Sequence, residues 1–117
     1  MKKDFYCLHS DLCKTLSNPK RQEILDTLRH GELSVSELVE KTHVSQANLS
    51  QHLAILRGKG IVTARREGLN VYYSIANPKI IKAFDLIGEV LREALAEQNR
   101  TIGAALGAKP SKERRSR

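Results

Sequence analysis

Ser34-Val35-Ser36-Glu37-Leu38, then Thr42-His43-Val44, then Ser45-Gln46-Ala47-Asn48-Leu49-Ser50-Gln51-His52-Leu53: this stretch offers two helix starts and a tight connection between them. Ser34 and Glu37 have the form of a capping box, in which a hydroxyl and a carboxylate satisfy each other's backbone amides. The helix they open is short, about Val35 to Lys41. Residues 42–44 make the turn and Ser45 caps a further helix to about Gly58, with Leu49, Leu53 and Leu56 as its inward stripe. A short helix, a turn of three and a longer helix is helix-turn-helix spacing.

Working outward, Asn18 and Pro19 form a cap followed by a proline at the first helical position, where no amide donor is needed. The helix they start carries Ile24, Leu25 and Leu28 and stops at Gly31. Before it, Phe5, Leu8, Leu12 and Leu16 recur at helical spacing, which predicts an amphipathic helix from about Asp4 to Thr15. After the central motif the period becomes alternating. Val62 and Ala64 on one arm, and Val71, Tyr73 and Ile75 on the other, flank the turn-forming Glu67-Gly68-Leu69-Asn70 and predict a β-hairpin, or wing. Asn77-Pro78 repeats the cap-then-proline start, and Ile80, Phe84, Ile87, Leu91 and Leu95 step along a long final helix. The order is ααααββα: a mostly α winged helix-turn-helix over residues 1–106. Residues 107–117 hold five cations against Glu113, contribute +4 of the chain's +7, and read as a disordered basic tail.

With 117 residues the chain has the size of one domain. A charge of +7 and a pI near 9.7 attract polyanions, either nucleic acid or an anionic membrane surface. No apolar run reaches the 18 or so residues of a membrane span, and Met1-Lys2-Lys3-Asp4-Phe5 does not lead into a signal peptide. A cytoplasmic location with no membrane partner is expected. Two cysteines, Cys7 and Cys13, are too few for a disulfide framework.

A helix that enters the major groove needs an inward stripe to fix its orientation and a small, polar outward stripe to reach base edges. At 100° per residue, Ala47, Ser50, Gln51 and Ala54 lie opposite Leu49, Leu53 and Leu56, with Gln46 and Asn48 at the flanks. Gln46 and Gln51 can bond adenine in bidentate fashion, and Ser50 can serve several bases. An ordinary solvated face is the alternative for this helix taken alone. Around it stand Lys20 and Arg21 at a helix start, Arg57 and Lys59 at the end of the recognition helix, and Arg65 and Arg66 in the wing. Cations so placed suit phosphate contacts.

Asn18-Pro19-Lys20-Arg21-Gln22-Glu23-Ile24-Leu25, Leu33 to Leu38, Val44 to Leu53, Gly60-Ile61-Val62, Arg66-Glu67-Gly68 and Val71-Tyr72-Tyr73 together resemble the successive signatures of the ArsR/SmtB family of small repressors, across about residues 12 to 76. The resemblance implies a homodimer joined through the first and last helices, two recognition helices about one DNA turn apart on a partly palindromic double-stranded operator, and release by an effector. It places base reading on Gln46, Ala47, Ser50 and Gln51, with Lys20, Arg21, Ser45, Asn48, Arg57, Arg65 and Arg66 as flanking or phosphate contacts. The chain departs from metal-sensing members in two places. Ser34-Val35-Ser36 stands where they carry Cys-Val-Cys, and no histidine follows Asp85 in the final helix. Hydroxyls are poor ligands for soft metals, so neither metal site is expected and no cofactor is implied. Leu69 replaces a basic wing tip.

Cys7, His9 and Cys13 lie close in sequence, but on a helix only His9 and Cys13 share a face. They read as inert or dimer-interface thiols, as a thiol switch activated by Lys2, Lys3 and Lys14, or as part of a dimer-spanning metal site. His52 reads as a packing residue, and His30 and His43 have no ligand-like neighbours in sequence. No Gly-rich phosphate loop, nucleophile elbow or metal-hydrolase motif is present, so an enzyme is not expected. A winged helix used only for protein contact would show an acidic or apolar recognition face, and this one is neither.

Overall fold

The computed structural model describes residues 2–105, so the basic tail lies outside the described residues. In chain order the elements are α1 (Lys2–Leu16), α2 (Pro19–Leu28), β1 (Leu33–Ser34), α3 (Val35–Lys41), α4 (Gln46–Gly58), β2 (Val62–Glu67), β3 (Asn70–Ile75) and α5 (Lys79–Ala105). The helix-turn-helix and the wing fall where the sequence predicts them. The addition is β1, which pairs antiparallel with β3 and makes a three-stranded sheet of order β1-β3-β2. Two residues are too few to show alternation, and the pairing of Leu33 with Tyr73 is long-range, so no local pattern announces this strand.

Local chemistry sets the boundaries. The Asn18 side chain accepts from the amides of Lys20 and Arg21, with Pro19 following. Ser34 and Glu37 form both halves of the capping box. In the hairpin, Glu67 pairs with Asn70 around Gly68 and Leu69, and Gly68 takes φ +64°, the left-handed region that glycine enters without a Cβ penalty.

The chain divides after Ile81 into two compact units. In the first, Ile24, Leu25 and Leu28 of α2, Leu38 of α3, and Leu49, Leu53 and Leu56 of α4 share one core with Val44, Ile61 and Val62. The α1 stripe is split. Leu12 and Leu16 pack on this core, whereas Phe5 and Leu8 are exposed. In the second unit α5 exposes Leu86, Ile87, Val90, Leu91 and Leu95.

Leu53→Ala should cost about 2–5 kcal/mol of unfolding free energy, since the side chain is fully enclosed and its removal leaves a cavity. Ser50→Ala, on the opposite face, should stay within about 0.5 kcal/mol. Urea denaturation of the two variants beside the parent checks the contrast.

Candidate nucleic-acid interface

Ser45 ends the turn in an extended conformation; its hydroxyl accepts from the amide of Asn48 and its carbonyl from that of Leu49. This cap uses the oxygen as acceptor and leaves the hydroxyl proton to donate. From there α4 presents two unlike faces. Leu49, Leu53 and Leu56 are buried to within 1%. Gln46, Ala47, Asn48, Ser50, Gln51 and Ala54 are all exposed. No Asp or Glu occurs from Lys41 to Arg66, so α4 and the turn before it carry no acidic side chain of their own to repel a phosphate backbone.

The flanking cations separate into two groups. Arg57 and Arg66 are exposed and carry no ion pair among the described residues. Arg65 is committed elsewhere. Its Nε and Nη2 donate to both carboxylate oxygens of Glu32 at 3.0 and 2.8 Å, its Nη1 donates to Glu67 at 2.8 Å, and the guanidinium lies 4.8 Å from the Tyr72 ring centroid. The bond to Arg65 holds the Glu32 carboxyl below its ordinary pKa, and the two carboxylates raise that of Arg65. Arg65 thereby ties the wing to the segment before β1. Sequence grouped it with the phosphate contacts because its partner Glu32 is 33 residues away.

Lys20 and Arg21 are engaged as well. Lys20 donates to the carbonyl of His43 at 3.3 Å and, being exposed, keeps two donors for other partners. Arg21 donates to His52 Nδ1 at 3.2 Å and to the Thr15 carbonyl at 3.1 Å. Lys59 is paired with Asp11, whose carboxyl is held low first by that hydrogen bond and then by the Lys59 charge. His43, without company in the sequence, has Glu23 as a partner: the carboxylate lies 3.0 Å from Nδ1 and accepts from the His43 amide at 3.2 Å. The His43 side-chain bond holds Glu23 below the usual carboxylate range. These ties join the turn of the motif to α2.

On α1, Cys7 and Cys13 are both exposed, and Cys13 Sγ lies 3.7 Å from His9 Nδ1. Phe5 stands against the His9 ring, with centroids 5.6 Å apart. Among the described residues no three His, Cys, Asp or Glu side chains come together in a way that could hold a metal ion. No helix among them is long and apolar enough to cross a membrane.

Known proteins share both the sequence and this geometry. The family model described as bacterial regulatory protein, arsR family, matches residues 18–64. An HTH-type transcriptional regulator of Mycobacterium tuberculosis is 38% identical over 80% of this chain and 82% of its own length. Its crystal structure matches with a TM-score of 0.75, covering 80% of this chain and 95% of that one. The transcriptional repressor PagR of Bacillus anthracis is 35% identical over 69% of this chain and 82% of its own. A homodimeric winged helix-turn-helix DNA-binding domain from Mycobacterium bovis, solved in solution, matches at 33% identity with a TM-score of 0.73, over 82% of this chain and 89% of that one. The relatives are regulators rather than enzymes; the chain is a DNA-binding transcriptional regulator and belongs to the arsR family of bacterial regulatory proteins.

Proposed function

We propose that the chain is a cytoplasmic, homodimeric repressor that sets two copies of α4 in successive major grooves of a partly palindromic operator and is released by an effector. The observation that carries this reading is the α4 face: Gln46, Ala47, Ser50 and Gln51 exposed, with the opposite stripe buried. PagR supports the repressor role and the M. bovis domain supports the dimer. The exposed apolar residues Phe5 and Leu8 of α1 and, in the other unit, those of α5 are each suited to cover by a second copy. Sedimentation at micromolar concentration should show a dimer, and a monomer would overturn that part of the proposal.

Base reading and phosphate contact have separate signatures. With a duplex selected from a random pool, Gln51→Ala should cost about 1–3 kcal/mol and relax preference at one base pair per half-site. Arg66→Ala should weaken selected and scrambled duplexes alike and flatten the salt dependence by about one unit per protomer. Arg65→Ala should leave the salt slope where it is, because its charge is already met by Glu32 and Glu67. Matching slope changes for Arg65→Ala and Arg66→Ala would show that both touch phosphate.

The Cys13–His9 contact favours a second reading, in which the effector is a thiol oxidant or electrophile. Cys7 and Cys13 are six residues apart on one helix, about 9 Å along its axis, too far for a disulfide without unwinding α1. Oxidation would therefore give a sulfenate or a bridge between subunits. Duplex affinity of reduced and oxidised protein should differ, and should become equal in the Cys7→Ser, Cys13→Ser variant. Equal affinities in the parent would remove the thiols from the mechanism.

A further inference from the structure

The polar ties behind α4 converge on one short stretch of α1. A helix leaves its last carbonyls without intrahelical partners, and here α2 receives two of them: Arg21 bonds the Thr15 carbonyl at 3.1 Å and Gln22 that of Leu16 at 2.8 Å. Thr15 is buried and returns its own hydroxyl to the Asp11 carbonyl. Arg21 then uses a second donor, Nε, on His52 Nδ1 at 3.2 Å. At the end of α4, Lys59 reaches Asp11. Mid-helix and C-terminal cap of the recognition helix are thus both fastened to residues 11–15 of α1.

We propose that His52, joined through Arg21 to the Thr15 carbonyl, is a positioning residue that fixes the rotation of the recognition helix, and that its protonation loosens selective DNA binding. The inference rests on α4 being the base-reading helix. His52 follows Gln51 directly, so any rotation at one is a rotation at the other. On a helix of about 5–6 Å radius, a 20° turn moves a side-chain tip about 2 Å, enough to break a bidentate base contact.

The bond is chemically conditional. Nδ1 accepts from Arg21 only in the neutral ring with its proton on Nε2, and a protonated ring has two donors and no acceptor. The charged groups facing the ring are Arg21 and Lys20, both cations of α2, while α1 presents the Thr15 carbonyl that Arg21 already occupies. Burial first, then those two charges, lower the His52 pKa from its ordinary value of 6.5. A ring depressed in this way stabilises the fold in full above that value. As pH falls through 6.5 the unfolded chain takes up the proton first and the contribution is lost. Asp11, Glu23 and Glu32 are each held below their ordinary carboxylate values by hydrogen bonds to Lys59, His43 and Arg65. A histidine that merely added charge near phosphates would strengthen DNA binding on acidification, the opposite sign.

The test compares the parent, His52→Gln, whose amide oxygen accepts from Arg21 at every pH, and His52→Leu, which cannot accept. A duplex selected from a random pool at about pH 7.5 and its scrambled counterpart are titrated between about pH 7.5 and 5. In the parent the affinity ratio of the two duplexes should fall about tenfold. His52→Gln should hold its ratio within about twofold, and His52→Leu should be low throughout. A constant ratio in the parent, or an equal pH response in His52→Gln, overturns the proposal. Amide hydrogen exchange along Gln46–Gly58, corrected for intrinsic rates, needs no DNA. Protection should drop on acidification in the parent and not in His52→Gln, and unchanged protection in the parent overturns the brace. If no duplex is selected, groove reading by α4 fails, and the exchange result still decides on His52.

Discussion

Which side chains α4 turns outward depends on how the helix is rotated about its own axis, and that rotation is set by three leucines. Leu49, Leu53 and Leu56 share the core with Ile24, Leu25, Leu28 and Leu38 and are buried almost completely. Burying one leucine contributes about 1.5–3 kcal/mol, so three outweigh any single polar contact on the outer face, worth about 0.5–1.5 kcal/mol each. The outer residues are therefore free to be chosen for what they contact rather than for what they stabilise. On the proposed groove reading their size matters: alanine, serine and glutamine would let the helix backbone come close to a groove floor, where lysine or an aromatic would hold it away.

Apolar burial fixes a helix coarsely, because packed leucines tolerate small adjustments through rotamer changes, whereas hydrogen bonds of 3 Å do not. The fine setting comes from charged side chains bonded to partners within the fold. Lys20 and Glu23 hold the turn at His43, Arg21 holds His52, Lys59 holds Asp11, and Arg65 holds the wing to Glu32. A net charge of +7 is in this respect misleading as a description of the DNA-facing surface. Several of the cations are internal fasteners, whereas Arg57 at the end of α4 and Arg66 in the wing carry no ion pair among the described residues. Fewer free cations mean less binding that ignores sequence, which favours discrimination over bare affinity.

The sequence made legible whatever local chemistry writes. The capping box at Ser34, the proline starts and the period change at Ile61 are decided within a few residues, and the elements they predict stand in the structure. The face of α4 was legible for the same reason, since 100° per residue is a local rule. What sequence did not disclose is long-range. β1 exists only because Tyr72 and Tyr73 come alongside Ser34 and Leu33. The duties of Arg21 and Arg65 depend on partners 31 and 33 residues away. An arginine in a helix's first turn and one in a hairpin read alike as surface cations, and only the fold shows that both are bonded within the protein. The split of the α1 stripe was hidden too, because periodicity shows that a face is apolar and not what covers it.

That split gives α1 two allegiances. Its C-terminal half, from Asp11 to Leu16, packs on the core through Leu12 and Leu16 and carries the fasteners of α4. Its N-terminal half offers Phe5, Tyr6, Cys7 and Leu8 to the outside. An α-helix is stiff over so few turns, so a load on one half is delivered to the other as a tilt or rotation rather than absorbed between them. The two fasteners resist such a motion differently. The Lys59–Asp11 pair is exposed and joins flexible side chains, so it follows small displacements at little cost. The Arg21 bridge joins a planar guanidinium to a backbone carbonyl and a half-buried ring, and has little slack. The rigid tie is therefore the one through which movement of α1 reaches Ser50 and Gln51, and the same ring that makes the tie rigid also makes it depend on a proton.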